Sequence, residues 1–195
     1  MSTTITLPKP NRDGSISLEK AIASRRSRRT FLPEGLTLEQ ISQLTWAAQG
    51  QDIRSSYRTV PSAGATYPLE LFTVTGDGLC HYLPAKHSLE KLTDRDLRAA
   101  LASAALEQDF IESAPLTLVF AAQFSKTTGS YGQRGIRYVY MEAGHAAQNV
   151  HLQAEALGLG SVAVGAFNDD SVSKVLSLLD HLEPLYMVTE GYYRK

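Results

Sequence analysis

Residues 136–160 read IRYVYMEAGHAAQNVHLQAEALGLG and carry the strongest structural signal in the chain. Apolar residues recur there at spacings of three and four, which is the period of an amphipathic helix. Gly158 follows this stretch and is well placed to end the helix in a left-handed conformation. The pattern predicts one long helix with a continuous apolar stripe. The stripe consists of Ile136, Val139, Ala143, Ala147, Val150, Ala154 and Leu157.

Shorter elements flank this helix. Thr37 and Gln40 have the spacing of a capping box, which predicts a helix after Thr37. Asp77-Gly78 lies between two apolar stretches and predicts a β-hairpin turn. The apolar run over residues 116–122 predicts a buried strand. The mixture of helices and strands predicts one α+β domain.

The ends of the chain and two connections complete the predicted layout. Residues 1–16 are expected to form an N-terminal arm, and residues 17–195 a single domain. A helix is expected over residues 94–107 and a flexible loop over residues 125–132.

Composition narrows the range of functions. The chain has 195 residues and a formal net charge of −1, so no overall field attracts it to nucleic acid or to a membrane. Cys80 is the one cysteine, which excludes an internal disulfide framework and a cysteine-based zinc site. No apolar run approaches the ~20 residues of a membrane span. Residues 1–10 lack the pattern of a signal peptide, so a cytoplasmic protein is expected. No metal centre is expected either.

Arg25-Arg26-Ser27-Arg28-Arg29 is the first candidate for a binding site. Guanidinium groups bind phosphates and carboxylates through paired, charge-assisted hydrogen bonds. Taken alone, the cluster favours a solvated helix end, where arginine complements the helix dipole, over an anion site. Nucleic acid is a third possibility, which the near-neutral net charge disfavours.

Two further segments contain small or polar residues in unusual combinations. Pro61-Ser62-Ala63-Gly64-Ala65 is either an ordinary turn or a loop whose small side chains let a flat ligand approach the backbone. Glu142, His145 and Asn149 are spaced to share one side of the long helix. They indicate either a general base or metal ligand, or a polar network at a helix–helix or dimer interface. The second interpretation is favoured, because no second Glu-x-x-His pair is present.

The order of these motifs resembles the nitroreductase superfamily from about Leu18 to Gly191. The resemblance rests on Arg-Arg-Ser-x-Arg, Pro-Ser-Ala-Gly-Ala-x-Tyr-Pro, Glu-Ala-Gly-His-x-x-Gln-Asn and Gly-Leu-Gly, in that order. The branch it resembles most contains the flavin dehydrogenases that oxidise thiazolines and oxazolines in peptides. The resemblance implies an antiparallel-dominated sheet flanked by helices, with the long helix at the core of an intertwined homodimer. It also implies flavin mononucleotide (FMN) at the dimer interface.

Matched position by position, the resemblance implies a set of FMN-binding residues. Those for the phosphate, ribityl chain and pyrimidine edge are Arg25, Arg26, Ser27 and Arg29. Those expected from the partner subunit, on the ring and phosphate side, are Pro61, Ser62, Ala63 and Ala65. Gln108 is expected at the pyrimidine edge, and Arg194, with Lys195, near the phosphate. The segment expected along the ring near N5 is Val164, Gly165 and Ala166.

The implied activity is transfer of hydride from NADH or NADPH to the flavin and then to a small acceptor such as a nitroaromatic or a quinone. Arg29 is the candidate for stabilising the reduced, anionic flavin in this ping-pong scheme. The alternatives are a dehydrogenase that oxidises a metabolite or peptide azoline with oxygen as acceptor, and a non-catalytic flavin-binding protein. Azoline-oxidising relatives have a Lys-Tyr pair where this chain has Ser130-Tyr131, so Tyr131 is the candidate acid or base and azoline oxidation is disfavoured.

Overall fold

A seven-stranded sheet organises the chain in a computed structural model that describes residues 3–52 and 55–194. Its strands are β1 (Thr4–Thr6), β2 (Leu69–Thr75), β3 (Gly78–Leu83), β4 (Ser88–Thr93), β5 (Leu116–Ala122), β6 (Gly160–Val164) and β7 (Glu183–Gly191). They lie in the order β1-β4-β3-β2-β5-β7-β6, and each neighbouring pair is antiparallel. The predicted α+β class is confirmed.

Helices cover both faces of the sheet. They are α1 (Leu18–Ser24), α2 (Leu38–Gln49), α3 (Arg98–Ala104), α4 (Phe110–Ser113), α5 (Phe124–Tyr131), α6 (Arg134–Ala156) and α7 (Asp169–Leu176). Side chains alternate between the two faces of a strand, so β5 contributes residues to the apolar layers on both faces of the sheet. Phe120 packs in the layer that contains Val150 of α6, and Val119 in the layer that contains Leu101 of α3. All of β5 is buried, as its continuous apolar sequence predicts.

The long helix α6 confirms the signal in residues 136–160. Its apolar stripe is buried from Val139 to Ala154, whereas Ile136 and Leu157 at the ends are half-buried. Gly158 has φ +73°, and the Leu159 N–H donates to the Ala154 carbonyl at 2.8 Å. This is the Schellman ending that the glycine predicts. Neither α6 nor another helix in the described ranges is both long and apolar enough to cross a membrane.

The prediction of a flexible loop over residues 125–132 is wrong, because α5 occupies Phe124–Tyr131. Tertiary packing stabilises this weakly amphipathic segment against α6. A Cβ on Gly135 would lie 2.9 Å from the Thr128 Cα, so the missing side chain permits the close approach. Thr127 is buried at this contact.

The helix expected over residues 94–107 is shorter at both ends and is limited to α3. Before α3, the Asp96 carboxylate accepts the Arg98 N–H at 3.1 Å and forms a turn. After it, Leu106 and Glu107 have φ values of +60° and +57°, which no right-handed helix accommodates. Both ends are therefore set by local turns that the apolar pattern did not reveal.

Residues 3–16, the part of the N-terminal arm that the structure describes, pack against their own chain. Thr4–Thr6 forms the edge strand beside β4, with Ile5 opposite Leu89. Farther along, the Pro8 carbonyl accepts hydrogen bonds from the Ser42 hydroxyl at 2.6 Å and from His87 Nε2 at 2.9 Å. Neither β1 nor β4 was predicted from the sequence.

Candidate functional site

The arginine-rich segment lies along the edge of the sheet beside β6. Ser27 forms a parallel bridge with Ser161, and the Arg28 N–H donates to the Ser161 carbonyl at 2.9 Å. Leu32 continues the contact by donating to the Tyr192 carbonyl at 2.8 Å. The segment that follows α1 is thus fixed against both β6 and the C-terminal residues.

The arginines of this segment have different surroundings. Arg26 donates to the carbonyls of Ala23 at 3.0 Å and Arg25 at 2.7 Å, where it satisfies the end of α1. The Arg28 guanidinium lies 4.8 Å from the centre of the Tyr193 ring, and its buried Nε has no hydrogen-bond partner in the described chain. Arg29 is exposed. Arg28 therefore packs the segment, whereas Arg29 is open to a ligand.

A buried histidine contacts the strand beside which this segment lies. His151 of α6 places Nδ1 2.7 Å from Ser161 Oγ, on the strand that holds Arg28. Burial and, secondarily, the charge of Arg25 lower the pKa of His151 to about 4. The imidazole is therefore neutral at pH 7, and Arg25 lies close enough to interact with it.

Gln108 contacts the segment that follows β6. Gln108 Nε2 donates to the Ala105 carbonyl at 2.7 Å and to the Ala166 carbonyl at 2.9 Å. These bonds fix the exit from β6, where Gly165 and Ala166 are exposed and Val164 is buried. From Ser161 to Ala166 an extended chain covers roughly 16 Å. The strand thus separates the arginine segment from the Gln108 amide by a fixed distance.

The Pro61–Ala65 loop contacts Tyr131. Ser62 Oγ accepts the Tyr67 N–H at 3.0 Å, and Gly64 has φ +58°. A Cβ at Gly64 would lie 2.6 Å from the Tyr131 hydroxyl oxygen. The structure therefore brings the candidate acid or base onto the small-residue loop of the same chain. Pro61 and Ala65 are exposed, and Ala63 is half-buried.

Glu142 lies beneath this loop. Its side chain is buried with 3% exposure, and its Oε1 has no hydrogen-bond partner among the described residues. Burial raises the pKa of Glu142 to about 7, although Ser62 and the charge of Arg58 act in the opposite direction. Arg58 is held in place by Gln49 Oε1 at 2.6 Å.

The predicted grouping of Glu142, His145 and Asn149 is only partly correct. His145 is exposed, because it lies about 60° around the helix from Glu142. Asn149 instead donates to the Ala47 carbonyl at 3.2 Å. Glu142 and Asn149 thus make separate contacts with neighbouring segments. Within the described ranges, no group of three or more His, Cys, Asp or Glu side chains is placed to hold a metal ion.

Within the single chain, the predicted site residues form two groups. Glu142, beneath the loop, and His151, beneath the arginine segment, are nine residues apart on α6, which corresponds to about 14 Å. A cavity with a volume of about 740 Å³ lies between the arm, α1, α2 and α6. None of the predicted cofactor-binding residues lines it. Neither the arginine segment nor the small-residue loop therefore contributes a predicted cofactor-binding residue to this cavity.

Several buried polar residues were not singled out from the sequence. Glu190 is fully buried, both its carboxylate oxygens lack hydrogen-bond partners in the described structure, and it lies opposite Ser161 across the β6–β7 pair. His151 and Arg58 were also missed. A polar residue within an apolar period, such as His151 between Val150 and Leu152, was the available signal.

The Nitroreductase family model matches residues 22–192. The chain belongs to this family. A relative in Methanocaldococcus jannaschii that carries a nitroreductase name is 43% identical over 182 residues, covering 90% of this chain and 91% of its own. The microcin B17-processing protein McbC of Escherichia coli is 28% identical, covering 86% of this chain and 69% of its own. The FMN reductase (NADPH) of Bacillus subtilis is 25% identical, with 89% and 64% covered. The family and these names support an oxidoreductase.

Solved structures agree with this assignment. A nitroreductase-type protein of Ralstonia eutropha has a TM-score of 0.89 and 32% identity, covering 98% of this chain and 90% of its own. The E. coli microcin synthetase McbBCD complex, solved with truncated pro-MccB17 bound, has a chain with a TM-score of 0.76 and 25% identity. That match covers 97% of this chain and 78% of the other. The predicted membership of the superfamily is confirmed.

Proposed function

We propose that this chain is an FMN-dependent oxidoreductase that takes hydride from NADH or NADPH and passes it to a small acceptor, such as a nitroaromatic or a quinone. The observation that carries the proposal is the arrangement along β6, with the arginine segment at one end and the Gln108–Ala166 contact at the other. Kinship with the FMN reductase (NADPH) of B. subtilis supports the flavin and the nicotinamide donor.

The residues around β6 fit FMN chemically. Within the described structure, no carboxylate forms an ion pair with Arg25, Arg26 or Arg29, so guanidinium charge is available for a phosphate. Ser27 is exposed beside them, and exposed Arg194 follows Tyr193. Both N–H donors of Gln108 are used by carbonyls, which leaves its Oε1 to accept from a ring N–H.

A homodimer would complete this site. Along α6, the loop with Pro61, Ser62, Ala63 and Ala65 is separated from the arginine segment. In the proposed assembly, the partner subunit therefore supplies this loop to the flavin. The free surface of α6 includes Met141, Gly144 and His145, all exposed in the single chain. Gly144 has no neighbouring atom within 4 Å of a built Cβ, which leaves space for a second helix.

When bound, FMN would supply the hydride chemistry at its N5 position, and the protein would supply placement and charge. Gly165 and Ala166 would leave one face of the ring accessible, because they are exposed and small. Arg29 would place positive charge near the pyrimidine edge, which favours an anionic ring. Tyr131 remains the candidate acid or base.

Anaerobic stopped-flow absorbance tests this function. FMN-loaded protein is mixed with NADH or NADPH, and the flavin band near 450 nm (approximately, a property of the cofactor) is followed. Rapid bleaching by either donor supports the reductase. Coloured protein that neither donor bleaches would overturn the donor-driven scheme, and protein that takes up no FMN would overturn the flavin site itself.

A second candidate is a flavin dehydrogenase that oxidises a specific metabolite or peptide and passes electrons to oxygen. It is favoured by the likeness to McbC and to the McbBCD complex. Ser130-Tyr131 argues against azoline oxidation, because no lysine precedes the tyrosine. Slow bleaching by NADH and NADPH, with fast bleaching by such a substrate, would favour this candidate.

A further inference from the structure

Two side chains meet at the base of the Pro61–Ala65 loop. Arg58 precedes the loop and Tyr67 follows it, and the Arg58 guanidinium lies 4.8 Å from the centre of the Tyr67 ring. The Tyr67 hydroxyl also accepts the Arg58 N–H at 3.3 Å. A guanidinium is planar and positively charged, so it stacks favourably on an aromatic face. The loop thus lies between two residues that contact each other twice.

Arg58 is itself fixed to two regular elements. Its Nη1 donates to Gln49 Oε1 at 2.6 Å and to the Leu69 carbonyl at 3.0 Å. Gln49 is the last residue of α2, Leu69 is the first residue of β2, and both are buried. The guanidinium therefore holds the Tyr67 ring at a fixed position relative to α2 and β2.

The loop needs support because its backbone is strained. Gly64, Ala65 and Tyr67 have φ values of +58°, +53° and +47°. Glycine adopts this left-handed region freely, whereas a residue with a Cβ is disfavoured there and persists only where its surroundings hold it. The Ala65 N–H donates to the Ser62 carbonyl at 3.1 Å, and the Tyr67 N–H to Ser62 Oγ at 3.0 Å. These two bonds would move with the loop, so contacts to other elements must fix its position.

Contacts to α5 and to α2 provide that support. Thr66 Oγ1 lies 2.8 Å from Thr127 Oγ1 of α5, and Tyr131 of the same helix lies against Gly64. Arg58 adds the connection to α2. Because α2 packs on α6, the helix expected at the dimer interface, this connection fixes the loop relative to the surface on which two subunits would meet.

We propose that Arg58 is a positioning residue that, through Tyr67, holds the Pro61–Ala65 loop in the conformation that contacts FMN bound to the partner subunit. This inference rests on the proposed function, because that function places the loop at the flavin. A loop that is ordered before its ligand arrives loses less conformational entropy on binding, so the affinity for FMN is higher. Arg58 acts in this way without touching FMN.

Arg58→Lys tests the proposal, with Arg95→Lys as the matched control. Lysine keeps the positive charge but lacks the planar guanidinium that stacks on Tyr67. Hydrogen exchange of the FMN-free protein, followed by mass spectrometry, measures opening of the loop at the amides of residues 65–67. We expect R58K to exchange faster there and to bind FMN roughly three- to thirtyfold more weakly, the range of one cation–π contact. R95K changes an exposed arginine and should alter neither quantity.

Tyr67→Asn separates action through the ring from a direct effect of the Arg58 side chain on FMN. Asparagine lacks the ring but adopts the left-handed conformation more readily than most residues. In the Y67N background, R58K should no longer alter the hydrogen exchange of residues 65–67 or the FMN affinity. An equal loss of affinity in both backgrounds would overturn the route through Tyr67. Unchanged exchange of residues 65–67 in R58K would overturn the positioning role itself.

The remaining measurements keep the outcomes distinct. Circular dichroism and size-exclusion chromatography establish that each variant is folded and has the oligomeric state of the wild type. Should R58K not fold, Y67N alone decides the inference, since it should show faster exchange and weaker FMN binding, and unchanged values would overturn it. Absence of FMN binding by the wild type would overturn the proposed function, whereas hydrogen exchange would still decide whether Arg58 holds the loop.

Discussion

His151 Nδ1 lies 2.7 Å from Ser161 Oγ. This contact joins the long helix α6 to β6, the edge strand beside which the arginine segment lies. The Ser161 carbonyl accepts the Arg28 N–H on the other side of the same residue. One buried imidazole therefore fixes, through Ser161, the position of the backbone that presents Arg25 and Arg29.

The His151 contact should make the protein sensitive to acid. The pKa of His151 falls from the ordinary 6.5 to about 4, so the folded state resists protonation that the unfolded chain accepts. This stability is present above pH 6.5 and is lost as pH falls toward 4. Urea unfolding at pH 7.5, 6.5, 5.5 and 4.5 should show that the free energy of unfolding falls with pH, and that it falls less in His151→Gln than in the wild type. The exposed His145→Gln is the control, and an equal decline in all three proteins would contradict the assignment.

Glu190 should destabilise the fold at neutral pH. Burial raises its pKa well above the ordinary value, so folding favours the protonated acid. The contribution of Glu190 to the free energy of unfolding is most favourable below the pKa of the unfolded state. It is lost as the pH rises toward the pKa of the folded state. Glu190→Leu should therefore raise the free energy of unfolding at pH 7.5 by about 1–3 kcal/mol, the cost of a buried unsatisfied polar group.

The gain from Glu190→Leu should shrink as pH falls toward ~4.3, the ordinary glutamate pKa. Denaturant melts at pH 4.5, 6 and 7.5 provide this comparison. A leucine variant that is less stable than wild type at pH 7.5 would mean that the carboxyl has a compensating partner.

Gly64 should be intolerant of a side chain. It has φ +58°, and an added Cβ would lie 2.6 Å from the Tyr131 hydroxyl oxygen. An alanine in this conformation costs about 1–2 kcal/mol before the contact is counted. Gly64→Ala should lower the thermal midpoint by roughly 2–8 °C. Gly129→Ala, where a Cβ meets nothing within 4 Å, should leave it unchanged or higher.

The Tyr131 contact can be separated from the backbone strain. Because Tyr131→Phe removes the nearest oxygen, Gly64→Ala should cost less in that background than in the wild type. An identical cost in both would show that only the backbone conformation of Gly64 matters.

Replacing Arg25 and Arg29 by Ala should release FMN and leave the protein folded. Hydrogen bonds to charged groups contribute about 1.5–3 kcal/mol each, so the double variant should bind FMN at least roughly a hundredfold more weakly. Fluorescence titration measures the affinity and circular dichroism the fold. Arg95→Ala, an exposed arginine before α3, is the control for loss of charge. A double variant that stays yellow would show that the phosphate lies elsewhere.

The sequence by itself determined the elements whose signals are local. Thr37 and Gln40 form the predicted capping box, and Gly158 ends α6. These features need only residues within one turn of each other, so spacing reveals them. The order of motifs likewise sufficed for the family.

Tertiary structure decided what depends on distant neighbours. Residues 124–131 are helical because they pack on α6, and Thr4–Thr6 is a strand because β4 pairs with it. Burial also converted Glu142, His151 and Glu190 into groups with displaced pKa values, since the cost of a charge depends on the surroundings that the fold supplies. No local pattern shows that Tyr131 covers Gly64, or that one helix supports the arginine segment and the small-residue loop at separate points. Those relationships exist only where the chain meets itself in space.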